Sequence, residues 1–407
     1  MGVLLAGSLL ALLTYTSATP IVQQTSRSGF IDLPKSYAAL GDSFAAGLGS
    51  GFFLNNSRDA SDIECIRQDD SYPRQLLQFL PFLLPKDHPF DFTACTGDVL
   101  DDIDGQIAKL IGRKFDVLTV TIGGNDFGFE EIAVACAYAK IIPGVDAQAV
   151  CDAALDAAFA TVDDPAILDK FEQKLDLIKS SSLAPGGTIF VTGYAQLFDG
   201  PIEGDACDQI SFFPIVELAA LNITSFNRLR SNDLTLKINA LIEKAVSKAG
   251  DEFQFIDFDK VFEGKRFCEQ DNDDDPIGAN NPNVFFNDLT TILPTPGIAP
   301  LDKQTPGLTG VDITDPLQQV SVFHPKGSLP YTPLAAEIAF RILIDALKSH
   351  DVVVGPAKHC GGSKHWRRGD DCCYDIPDKC AMVKQEWKDA PTVVCENGDS
   401  YAAKIVA

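Results

Sequence analysis

A serine hydroxyl attacks an ester carbonyl when a base takes its proton and hydrogen-bond donors receive the charge that builds on the carbonyl oxygen. Residues of these types occur in the chain in a suggestive order. Ser43 lies in Leu40-Gly41-Asp42-Ser43-Phe44-Ala45-Ala46-Gly47, directly after a short apolar run at 36–40. A run that stops at Gly and Ser and enters Ala-rich sequence reads as strand, turn and helix. That geometry sets a hydroxyl at the carboxyl edge of a sheet, beside the free N–H groups of a helix start. The same residues also fit a serine that only caps a helix. Three further places supply partners: Thr93-Ala94-Cys95-Thr96-Gly97-Asp98, Thr121-Ile122-Gly123-Gly124-Asn125-Asp126 and Val322-Phe323-His324-Pro325. Gly-Gly-Asn-Asp is expected by chance in well below about one chain in a hundred at ordinary residue usage, so the second of these carries the most information.

The elements that must position these residues are readable from periodicity. Strands are expected at 36–40, 90–94, 116–122, 188–192 and 253–257; the run at 116–122 is β-branched and nearly continuous, as a central parallel strand should be. Helices are expected at 72–79, along Leu100, Ile103, Ile107 and Leu110, along Leu168, Phe171, Leu175 and Ile178, along Leu234, Ile238, Leu241 and Ala245 up to Gly250, and at 334–347. Strands and helices alternate, which argues for an α/β fold with a parallel sheet covered on both faces and its functional loops at the strands' carboxyl ends. Two long stretches, 47–70 and 271–316, are rich in Asn and Asp and read as irregular loops. The apolar, proline-broken run at 79–85 reads as buried packing, with an acyl-pocket wall as the alternative.

The chain has 407 residues and a net charge of −24, which argues against nucleic acid and anionic lipid surfaces as partners. Residues 1–18 read as a secretory signal: residues 3–13 are apolar and Thr16-Ser17-Ala18 offers small residues for cleavage. No later stretch is long and apolar enough for a membrane span, so a secreted protein without an integral membrane anchor is expected. Asn55 and Asn222 begin glycosylation sequons. Of eleven cysteines, six lie in the body, and sequential pairing is the simplest arrangement: Cys65 with Cys95, Cys136 with Cys151, Cys207 with Cys268. The other five, Cys360, Cys372, Cys373, Cys380 and Cys395, crowd residues 355–407, a small stapled module or a tail with local bridges. His359 and His365 lie among them; in a secreted chain disulfides are favoured over zinc there. His88 reads as a turn residue and His350 as a helix-end residue. Asp42 and Asp126 read as local loop holders. Nothing in the sequence demands a metal or a nucleotide cofactor.

Taken in order, Gly41-Asp42-Ser43, Gly97 with Gly105-Gln106, Gly123-Gly124-Asn125-Asp126 and His324-Pro325 resemble the blocks of the SGNH (GDSL) hydrolase superfamily. The likeness spans residues 36–349 and is strongest to the secreted esterase and lipase branch, whose stretch before the last block is similar to Phe262-Glu263-Gly264-Lys265-Arg266-Phe267-Cys268. The resemblance implies a flavodoxin-like three-layer sandwich around about five parallel strands, filling residues 19–354, and the same three disulfides. It implies Ser43 as nucleophile, His324 as base, and Ser43, Gly97 and Asn125 as the oxyanion hole, acting on a small-molecule or lipid ester. One position departs from the pattern: Ser321 stands where the family carries Asp, three residues before the histidine. The main-chain carbonyl at Ser321 is the expected orienting group, with Asp312 and Asp315 as alternatives. Residues 326–330 also depart. A non-catalytic glycan or cell-wall binder on the same scaffold, and an acyltransferase, are the rival functions.

Overall fold

The computed structural model describes residues 33–54, 61–83, 90–137, 145–200, 206–210, 221–222, 224–269, 281–287 and 323–348, with short strands at 22–23, 353–354, 380–383, 392–395 and 400–402. The signal segment, Asn55, His88, Asp312, Asp315, Ser321, His350, His359, His365, Cys360, Cys372 and Cys373 lie outside the described residues.

Five parallel strands form the central sheet: β1 (Tyr37–Gly41), β2 (Asp91–Phe92), β3 (Phe115–Thr121), β4 (Leu183–Thr192) and β5 (Phe253–Ile256). Their order across the sheet is β2-β1-β3-β4-β5. Every residue of β1 is buried, and β3 is buried at all positions but Asp116, which accounts for their unbroken apolar character. Strand order reverses at β1, where β2 lies on one side and β3 on the other. The carboxyl ends of β1 and β3 therefore flank a switch point, the place where open α/β sheets form ligand crevices. Ser43 follows the first of these strands and Asn125 the second.

The helices are α1 (Ser43–Ala46), α2 (Tyr72–Phe79), α3 (Ile103–Lys109), α4 (Ala147–Asp163), α5 (Pro165–Ser182), α6 (Ser225–Ala249) and α7 (Ser328–Lys348). α4 has no counterpart among the expected elements, because its buried face is largely Ala and Cys, with Leu155 as its one large anchor. Asp146 and Asp164 cap α4 and α5 by accepting from Ala149 and Ala166 N–H. The stretch 47–70 is more structured than a loop: it holds a helical turn at Ser61–Glu64 and buried Arg67, which pairs with Asp62 at 2.7 Å and donates to the Ala94 carbonyl at 2.7 Å. β4 begins at Leu183, five residues before the expected 188, across a register shift opposite Phe115 and Val117.

Disulfides join Cys65 to Cys95, Cys136 to Cys151 and Cys207 to Cys268, the expected pairs. The chain divides into two compact units. One, Ser36–Arg74 with Asp87–Tyr331, carries the whole sheet and all three disulfides. The other, Met1–Lys35, Gln75–Lys86 and Thr332–Ala407, holds most of α2 and α7, where Leu76, Leu80, Leu83, Leu334 and Ile338 are buried. Within it, Val22–Gln23 pairs with Val353–Val354, and three antiparallel strands at 380–402 place Cys380 opposite Cys395. Among the described residues, no helix is long and apolar enough to cross a membrane.

Candidate active site

Gly41 ends β1 with φ +132°, and a Cβ there would stand 2.1 Å from the Thr121 carbonyl oxygen of β3. Only glycine allows the two strands to close at this point. Asp42 then donates its N–H to that carbonyl at 2.7 Å and turns the chain into α1, accepting the Phe44 N–H on Oδ1 at 3.0 Å. Ser43 is thereby the first residue of a capped helical turn. Its N–H has no acceptor among the described residues.

Gly97 sits in the turn after β2 at φ +88°, with nothing within 4 Å of where a Cβ would project and no acceptor for its N–H among the described residues. Asn125 follows β3, and its Nδ2 donates to the Asp98 carbonyl at 2.8 Å. A side-chain amide carries two N–H groups, so one remains for a substrate.

His324 arrives from the far end of the sequence. Its Nε2 lies 2.7 Å from Ser43 Oγ, and both side chains are buried, 3% and 6% exposed. The Phe44 and Phe129 rings stand 5.1 and 5.4 Å from the imidazole. The loop bearing it pairs with 285–287: Asn287 N–H donates to the His324 carbonyl at 2.9 Å, Phe323 N–H to the Asn287 carbonyl at 3.2 Å, and Lys326 N–H to the Phe285 carbonyl at 2.7 Å. Phe323 adopts φ +67°, a strained setting for a bulky residue, held by ring contacts with Phe129 and Phe267.

This arrangement agrees with relatedness to known proteins. Residues 39–288 match the GDSL-like Lipase/Acylhydrolase family. The chain belongs to that family. It is 27% identical over 259 residues to a lipase of Streptomyces rimosus, covering 61% of this chain and 81% of that one. It is 26% identical over 235 residues to Lipase 1 of Streptomyces coelicolor, covering 57% and 72%. The crystal structure of an extracellular lipase from Streptomyces rimosus superposes with a TM-score of 0.50 at 23% identity, over 75% of this chain and 99% of that one, and so shares the fold. By its family the chain is a carboxylic ester hydrolase.

Beside the Ser43–His324 pair of this GDSL-family chain lies an apolar cavity of about 90 Å³. Its wall includes the sequence neighbours of three site residues, Phe44, Gly124 and Phe323, together with Phe129, Leu155 and Ile238. Of the run at 79–85, none of the described residues 79–83 lines that wall. Asn222 does, half-buried, and Thr224 of its sequon caps α6 by accepting the Asn227 N–H at 3.3 Å.

The carboxylates around the site act as loop holders. Asp126 accepts from Leu100 N–H at 2.8 Å and from Lys170 at 3.1 Å; burial raises its pKa. Asp42 accepts from the Tyr194 hydroxyl as well as from Phe44, and its burial pushes it up to about 7. Two residues at the site escape sequence reasoning, Tyr194 and Asn287. Tyr194 lies just past β4, so a search of every strand's carboxyl end would reach it; Asn287 sits in the aperiodic stretch and carries no local signal.

Proposed function

We propose that the chain is a secreted serine esterase or lipase that works through an acyl-serine intermediate on Ser43. Ser43 Oγ attacks the ester carbonyl as His324 Nε2 takes its proton. The tetrahedral oxyanion is received by the Ser43 and Gly97 N–H groups and by the second Asn125 amide hydrogen. Collapse breaks the bond to the alcohol, which leaves with the proton from His324. Water then attacks the acyl-serine, giving its proton to His324, and the acid departs as the proton returns to Ser43. Ser321 through its carbonyl, or Asp312 or Asp315, orients the imidazole.

The observation that carries this reading is the 2.7 Å approach of His324 Nε2 to Ser43 Oγ across 281 residues of sequence. Helix capping by Ser43 would require no imidazole there. The apolar cavity favours esters with a hydrocarbon acyl group over acetylated sugars, whose acyl part would leave it unfilled. Residues 1–18 direct secretion, the three disulfides suit that route, and Asn55 is a glycosylation acceptor on it.

Ser43→Ala is expected to abolish hydrolysis of p-nitrophenyl esters and labelling by a fluorophosphonate, with the fold retained. Retained activity in that variant would remove Ser43 as nucleophile. A p-nitrophenyl series from acetate to palmitate should give kcat/KM rising beyond acetate; an optimum at acetate would count against the cavity as the acyl site.

A further inference from the structure

Three loops meet at the site, and three side chains each tie two of them together. Gln106 on α3 donates through Nε2 to the Gly41 carbonyl at 2.7 Å and to the Asp98 carboxylate at 2.6 Å, and accepts the Gly41 N–H at 2.8 Å. It joins the loop of Ser43 to the loop of Gly97. Asn125, through its 2.8 Å bond to the Asp98 carbonyl, joins its own loop to that of Gly97. Tyr194 closes the figure. Its hydroxyl donates to Asp42, one residue before Ser43, and accepts the N–H of Gly124, one residue before Asn125, at 2.8 Å.

Tyr194 enters from outside all three loops and is itself well anchored. Its N–H donates to Asn239 Oδ1 at 2.8 Å, and its carbonyl accepts from Asn239 Nδ2 at 2.7 Å. Its ring meets Phe44 edge-on at 5.0 Å. Burial holds the phenol well above its ordinary range, so the hydroxyl keeps its proton and can donate.

We propose that Tyr194 is a positioning residue for the oxyanion donors: it sets the spacing between the Ser43 N–H and the Asn125 amide before substrate arrives. The proposal rests on the reading that those two groups receive the carbonyl's charge. Donors stabilise a developing oxyanion only when already aimed at it, since reorienting them during the reaction consumes the stabilisation. The Asn125 loop is entered through two consecutive glycines, and the hydroxyl bond to Gly124 pins the second of them.

Tyr194 also lines the apolar cavity, so the test must separate spacing from acyl binding. Tyr194→Phe keeps the ring and removes both hydroxyl bonds. On p-nitrophenyl butyrate, kcat should fall by about tenfold or more while KM changes by less than about twofold. In an Asn125→Ala background the same change should cost less than about threefold further, because the donor it positions is gone. Should Tyr194→Phe fail to fold, Asp42→Asn probes the same link: it keeps an acceptor for Phe44 N–H, removes the carboxylate from Tyr194, and should show the same suppression by Asn125→Ala. Independent losses that multiply in the double variant, or an unchanged kcat in Tyr194→Phe while Asn125→Ala is crippled, would overturn the proposal. If Asn125→Ala alone leaves kcat intact, the oxyanion reading fails and the role of Tyr194 falls with it.

Discussion

The two halves of the site are built by different means. The half proposed to receive the oxyanion grows from strand ends. Ser43 follows β1, Gly97 follows β2, Asn125 follows β3, and side chains cross-link these loops in a closed figure through Gln106, Asn125 and Tyr194. Among the described residues, no strand of the main sheet leads into the histidine half. His324 is held by backbone pairing with 285–287, by the strained Phe323 and by one buried amide, Asn287, whose Nδ2 reaches the His324 carbonyl at 3.1 Å and the Pro325 carbonyl at 3.3 Å. On the proposed mechanism, the sheet therefore supplies the parts that must be rigid, the donors. His324, the proposed base, is carried by a hairpin-like contact with 285–287.

The comparison can be broken at its functional extremes. His324→Ala removes the proposed base and should lower kcat/KM by about 10⁴ or more, with fluorophosphonate labelling of Ser43 lost in parallel. Asn125→Ala removes one of the three proposed donors and should cost about 10²–10³ in kcat. Equal losses in the two variants would mean that the halves do not divide the chemistry as assigned.

Asn287→Ala tests the mounting of the histidine half alone. It deletes the amide under His324 and takes a donor from the carbonyls of Gly49, His324 and Pro325, a cost of about 1–3 kcal/mol in unfolding free energy. Its effect on kcat should be about tenfold, seen with KM unchanged, and it should persist undiminished in an Asn125→Ala background. Suppression there would instead couple Asn287 to the oxyanion half.

The same division explains what can be read without coordinates. β3 is legible because burial on both faces leaves an unbroken β-branched run, and α6 because Leu234, Ile238 and Ala245 recur at helical steps. The start of β4 is not, since Leu183-Ala184-Pro185-Gly186-Gly187 has turn residues where the strand begins. α4 leaves no mark because alanine buries too little to define a face. Ser43, Gly97 and Asn125 each sit at a strand end with glycine at or beside the position, a local pattern. Tyr194 and Asn287 act on groups remote in sequence, and such bonds leave no spacing to recognise: Tyr194 meets Asp42 across 152 residues and Asn287 meets Gly49 across 238.

Stability against pH should separate the halves once more, by a smaller effect. Asp42 carries a carboxyl raised by burial to about 7, and burial raises Asp98 and Asp126 in the same half. An unfolded chain releases the Asp42 proton near its ordinary value of 3.8. Between those values the native state binds more protons than the unfolded state, so the contribution of Asp42 to stability falls as pH rises through that window and is level on either side of it. Asp42→Asn removes this dependence. Its melting temperature relative to the parent should therefore climb between pH 5 and pH 8, by about 2 °C or more, in thermal denaturation followed by circular dichroism. Asn287→Ala deletes a neutral group, and its offset from the parent should stay constant over the same range. A climbing offset in Asn287→Ala, or a constant one in Asp42→Asn, would show that the buried charge is not confined to the oxyanion half.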